Sequence, residues 1–111
     1  MVKYENCDVI LNNFKNYINI HININSCNIY ILLNNSLKKD FYDFANDLIN
    51  TKPCSFLKII DSVCYLKMEV YDDENLLNVF TEFINISFEI NDQIINIFKD
   101  ITKYYEINNI V

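Results

Sequence analysis

Residues 17 to 33 place an aliphatic side chain at every second position: Ile18, Ile20, Ile22 and Ile24, then Ile29, Ile31 and Leu33 after a break at Asn25 and Ser26. Successive side chains on a β-strand point to opposite faces, so the run has one apolar and one polar side. Tyr17, Asn19, His21, Asn23 and Asn25 line the polar side of the first half, and Asn28, Tyr30 and Leu32 that of the second. The reading is a β-hairpin that reverses at Asn25-Ser26. Its isoleucine face must be covered, whereas its Asn/Tyr face can stay wet.

The rest of the chain must supply that cover without glycine or arginine, since it contains neither. Turns that need positive φ then fall to Asn or Asp, the next most tolerant residues. Glycine-rich phosphate loops of the Walker or dinucleotide type are excluded, and so is the bidentate arginine reader of phosphate and guanine. A formal net charge of -6 disfavours direct nucleic-acid binding and favours a basic protein partner. Asparagine and isoleucine each make up about one residue in six, a bias best explained by an AT-rich genome rather than by function.

At 111 residues and 51% hydrophobic content, a single α+β domain spanning 1–111 with one packed core is expected. No apolar run approaches the ~18 to 20 residues that cross a bilayer, and residues 1 to 8 lack the apolar core of a signal peptide. The expectation is a complete protein of the cytoplasm that does not bind membranes. Cys7, Cys27, Cys54 and Cys64 show no Cys-x-x-Cys spacing, and His21 completes no zinc pattern. Reduced, structural thiols with no metal and no cofactor are expected.

Taken in order, residues 6 to 14 read as a first strand, followed by the hairpin. From 37 the period becomes helical: Leu37, Phe41, Phe44, Ala45, Leu48 and Ile49 face one way, with Lys38, Lys39, Asp40, Asp43, Asn46 and Asp47 opposite. Ser36 suits the N-cap, and Pro53 closes the segment. This helix is the best cover for the isoleucine face. Residues 55 to 60 and 63 to 71 read as strands, the second with Cys64, Leu66, Met68 and Val70 on one face. The run from 76 to 90 is long for one strand, and its apolar residues change parity, which requires a bulge, bend or break near 82–85. Asn91 is a good N-cap for a second helix bearing Ile94, Ile97, Phe98, Ile101 and Tyr105 on one face. The order β-β-β-α-β-β-β-α gives an antiparallel sheet of about five to six strands with two helices packed on one face.

Three features invite a functional reading. His21 is the one side chain whose ordinary titration range lies near neutrality, but nothing in the sequence brings a partner to it, and a solvated surface histidine is the simpler account. Asp40, Asp43 and Asp47 share one flank of the first helix; they form either its solvated side or an acidic stripe for a partner. Asp72, Asp73 and Glu74 concentrate negative charge in one loop beside Tyr65, Glu69 and Tyr71. The loop is either a polar turn or, with those tyrosines, an acidic docking patch, since tyrosine gives large contact area at low entropy cost. These nine residues are the candidate partner-binding set. No catalytic residue is assigned.

The helix of 36–49, SLKKDFYDFANDLI, and the strand-to-helix passage of 86–98, ISFEINDQIINIF, stand in a succession of hairpin, helix, meander, strand and C-terminal helix. That pattern resembles the WapI-like immunity proteins of bacterial polymorphic toxin systems. The resemblance implies a cytoplasmic inhibitor that binds one toxin domain, often a nuclease, and blocks it sterically; it carries no functional residue across. The alternative is a phage or mobile-element anti-defence inhibitor, such as an anti-CRISPR protein. A small enzyme or ligand-binding domain ranks lower, and self-association through an exposed sheet edge, giving a homodimer, stays open.

Overall fold

A computed structural model describes residues 3–110. Strands β1 (Tyr4–Glu5), β2 (Val9–Asn13), β3 (Tyr17–Ile24) and β4 (Cys27–Asn34) lead into helix α1 (Asn35–Ile49). Strands β5 (Cys54–Ile59), β6 (Tyr65–Val70), β7 (Leu76–Thr81) and β8 (Asn85–Glu89) then lead into helix α2 (Asp92–Ile107). The α+β class holds, but the arrangement is four strands and a helix, twice over. Each set of four is its own antiparallel sheet, with its strands in sequence order.

The expected single sheet of about five to six strands is therefore corrected to two four-stranded sheets. Strand β1 is two residues long, too short to show any alternation, and is fixed only by pairing Tyr4 with Leu11 and Glu5 with Ile10. The run from 76 to 90 is two strands, β7 and β8, divided by a turn at 82–84, which accounts for the change of parity.

The β3–β4 hairpin forms as its pattern requires, in the register Ile24↔Cys27 through Tyr17↔Asn34. Asn25 and Ser26 both have positive φ, 50° and 67°, as a two-residue type I′ turn demands. Ile18, Ile20, Ile22, Ile24, Ile31 and Leu33 are almost fully buried. Helix α1 lies against β3, β4 and β5, and α2 against β2 and β3, so both helices rest mainly on the first sheet and its junction with the second. At that junction Phe41 meets Phe56 edge to face at 5.1 Å between centroids, and Phe44 meets Phe98 at 6.1 Å. Such geometry matches the negative ring face to the positive ring edge.

Three local expectations are revised. The N-cap of α1 is Asn34, whose Oδ1 accepts from the Leu37 amide at 3.2 Å, while Ser36 Oγ donates to that same oxygen. Asn34 ends β4 in extended geometry (ψ 173°), which is the conformation an N-cap needs. Lys38 is buried rather than on the solvated flank: its Nζ donates to Asn13 Oδ1 at 2.8 Å and to the Phe14 carbonyl at 3.1 Å. Positive φ falls not only on Asn25 and Asn109 but also on Ser26 and Thr51. The Asn91 cap is found as expected, accepting from the Ile94 amide at 3.1 Å.

Two consequences for stability can be measured. Thr51, β-branched at φ 56°, holds a conformation that costs an L-residue roughly 1–2 kcal/mol. Thr51→Gly is expected to raise stability by about 1 kcal/mol in urea titration, the glycine's own entropy offsetting part of the relief. The Tyr105 hydroxyl is fully buried with no hydrogen-bond partner among the described residues. Tyr105→Phe removes that uncompensated desolvation and is expected to stabilise the fold by about 1 kcal/mol; a loss of that size would reveal a bonded hydroxyl.

Candidate functional site

In an antiparallel meander, successive turns lie at alternate ends of the sheet. The β5–β6 turn (60–64) and the β7–β8 turn (82–84) therefore share one end of the second sheet, and the acidic β6–β7 loop (71–75) lies at the other. At the shared end the inner face of the second sheet is buried only shallowly, Leu66 and Val79 each keeping 8% and Phe88 6% of their surface. An apolar cleft of about 350 Å³ opens there between Leu66, Val79, Ile86 and Phe88 on one side and residues 27–30 of β4 on the other.

Two turns frame this cleft, and both are locked by their own side chains. Asp61 accepts the amides of Val63 and Cys64 at 2.9 and 2.8 Å, and the Ile60 amide closes on the Cys64 carbonyl. Thr81 Oγ1 accepts from the Phe83 and Ile84 amides, and the Thr81 amide reaches the Ile84 carbonyl at 2.8 Å. Glu82 joins the turns by accepting the Tyr65 amide at 3.1 Å. With the amides engaged internally, the turns hold their apolar side chains outward. Phe83 is 88% exposed, Val63 70%, and Ile60 and Ile84 are also exposed. Tyr30 borders the cleft from β4, while its ring lies on the wet face, stacked on His21 at 4.2 Å. Large exposed apolar residues gathered around an apolar cleft make this end the candidate site.

Negative charge is placed at the rim by Glu82 and on the adjoining turn by Asp61. Main-chain amides, chiefly those of Val63 and Cys64, hold the Asp61 carboxyl below its ordinary range. Glu82 is held low by its own amide and that of Tyr65. Burial, and then Asp61, push the Cys64 thiol up, while burial and secondarily Asp47 push Cys54 up to about 12. Neither is a thiolate at neutral pH. All four cysteines are free.

The candidate residues read from the sequence separate along the second sheet. Tyr65 lines the cleft, whereas Glu69, on the same strand, lies four positions on, about 13 Å away at strand rise. At that far end Tyr71 Oη donates to Glu69 Oε1 at 2.8 Å, Lys67 pairs with Glu69 at 3.4 Å, and Asp72, Asp73 and Glu74 are exposed. Of the α1 stripe, Asp40 is exposed, Asp43 pairs with Lys39 at 2.9 Å, and Asp47 lies close enough to Cys54 to act on its thiol. Cys54 pairs with Val70, so the Asp47 end of the stripe points toward the acidic loop. His21 sits on the wet face with Nε2 2.9 Å from Asn28 Oδ1.

Sequence reasoning missed Phe83, Ile84, Ile60, Val63, Tyr30 and Glu82. The parity change in 76–90 was the available signal, because it marks where β7 stops and where its apolar residues leave the core. Among the described residues no group of three or more His, Cys, Asp or Glu side chains is disposed to hold a metal ion, and no helix is long and apolar enough to cross a membrane.

Lowered carboxyl values make an acid-side expectation. A carboxylate favoured in the folded state contributes stability above its unfolded pKa and loses it as pH falls through the lowered folded value. Glu82 should titrate below 4.5 and Asp61 below 3.8 in carboxyl-detected NMR, with stability falling under that range. A Glu82 value above 4.5 would contradict the Tyr65 contact.

Compared with family models, curated proteins and solved structures, the chain matches none of them.

Proposed function

We propose that this protein acts by stoichiometric binding to a basic effector protein and inhibits it, in the manner of an immunity protein neutralising a toxin domain. One observation carries the proposal: the apolar cleft with exposed Phe83, Ile84 and Ile60 around it and Glu82 at its edge, and with Val63 and Asp61 on the adjoining 60–64 turn. Burying a side chain such as Phe83 against a partner contributes about 2 kcal/mol, and a pre-organised turn loses little entropy on docking. Glu82 on the rim and Asp61 on the adjoining turn match lysine or arginine on the partner. A net charge of -6, with acidic residues along α1 and in the 72–74 loop, attracts such a partner over longer range and speeds encounter. Affinity is thus assigned to the cleft and approach to Asp40, Asp43, Asp47, Glu69, Asp72, Asp73 and Glu74, with Tyr65 and Tyr71 as adjoining contact area.

The test begins with capture of a basic protein from a lysate of the source cell at low salt, where electrostatic attraction is strongest. Its own activity is then titrated with the purified chain. Inhibition should reach its end point at equimolar ratio. Phe83→Asp should weaken inhibition at least about tenfold while leaving stability within about 0.5 kcal/mol, since the side chain is exposed. Inhibition by catalytic amounts of the chain, or full inhibition by Phe83→Asp, would overturn the proposal.

A further inference from the structure

The cleft has a wall of main chain as well as its apolar lining. In the two-residue β3–β4 hairpin, Ile24 and Cys27 form a hydrogen-bonded pair, so Ile22 and Ile29, and Ile20 and Ile31, do so as well. The intervening residues of β4, Asn28, Tyr30 and Leu32, then turn their amides and carbonyls away from β3. Two contacts agree with this phase: the Asn23 amide, opposite Asn28, bonds outward to Asp8 O at 2.8 Å, and the Leu32 carbonyl accepts from Lys58 Nζ. Lys58 thereby closes the Leu32 end of the edge. The outward N–H and C=O of Asn28 and Tyr30 bond to no other described residue, and both residues line the cleft. Their side chains are engaged on the other face through His21.

We infer that the effector assumed under the proposed function docks by adding a short extended segment to the open edge of β4. Its alternate side chains enter the cleft, and a lysine or arginine beside them meets Glu82. An edge of paired donors and acceptors calls for a strand, because a helix has no free main-chain groups along its length to offer. The apolar floor formed by Leu66, Val79, Ile86 and Phe88 calls for apolar side chains at every second position of that strand. A second copy of this chain fits poorly. Its own β4 would present Cys27 and Ile29, which are committed to its interior, and each copy carries a net charge of -6.

The proposal rests on the reading of the cleft as the effector's docking site, and its test separates the two. The probe is a capped synthetic peptide, Lys-Val-Thr-Val-Thr-Val-Lys, compared with the same peptide methylated on alternate backbone nitrogens, in both phases. Binding of the unmethylated peptide should protect the Asn28 and Tyr30 amides from hydrogen exchange. Methylation in one phase should weaken binding about tenfold and in the other much less. Tyr30→Pro, which removes an amide that β3 does not use, should weaken binding to a similar extent; Glu82→Gln should reduce it when the peptide carries lysine but not when it carries norleucine. Absence of binding at millimolar peptide, or binding indifferent to methylation in both phases, overturns strand addition. With the captured effector, loss of inhibition in Phe83→Asp while the Asn28 and Tyr30 amides stay exchangeable in the wild-type complex would overturn strand addition alone. Protected amides in a complex whose effector remains active would overturn the inhibitory reading alone.

Discussion

Everything in this structure follows from covering the isoleucine face of the β3–β4 hairpin. A row of buried isoleucines on two long strands forms one continuous apolar surface, and both helices pack against it, α1 reaching β5 as well. Helix α1 reaches as far as β5, where its phenylalanines meet Phe56, but the principal helix contacts stop there. The inner face of β6, β7 and β8 joins the same core, but its burial is shallowest at the end carrying the 60–64 and 82–84 turns, at Leu66, Val79 and Ile86. The cleft is what is left when two helices serve two sheets.

That shortfall sorts the surface into parts with different physical roles. The turn end is apolar, rigid and edged by carboxylates whose ionised form is held by main-chain amides. The opposite end and the α1 flank are acidic and partly neutralised by Lys39 and Lys67. Exposed charge of the second kind is screened by salt and contributes little to a closed contact, whereas desolvated apolar area contributes most of it.

The strongly periodic elements were legible in the amino-acid pattern: the hairpin, both helices, the Asn91 cap and the break in 76–90. The misses have local causes. Strand β1 is defined by pairing and not by any periodicity of Tyr4 and Glu5. Asn34 took the cap from Ser36 because the strand before it already held the extended geometry a cap requires. Lys38 reads as polar in any helical wheel, yet its four-carbon stem carries the ammonium past apolar neighbours to Asn13 and Phe14, which only the folded chain brings near. The cleft was the least legible feature. It depends on how far α1 extends over the second sheet, a tertiary quantity, and on Thr81 ending β7 so that Phe83 leaves the core.

Lys58 gives the open edge a further property. By engaging the Leu32 carbonyl, its ammonium acts as a stopper beyond the outward-facing groups of Asn28 and Tyr30. A full-length bare edge is a template on which copies of a chain can stack without limit, and proteins commonly set a lysine against that hazard. An edge stopped in this way cannot nucleate a continuous ladder of copies. Under the proposed strand addition such an edge admits one guest and then ends, so that it does not become a seed for fibres.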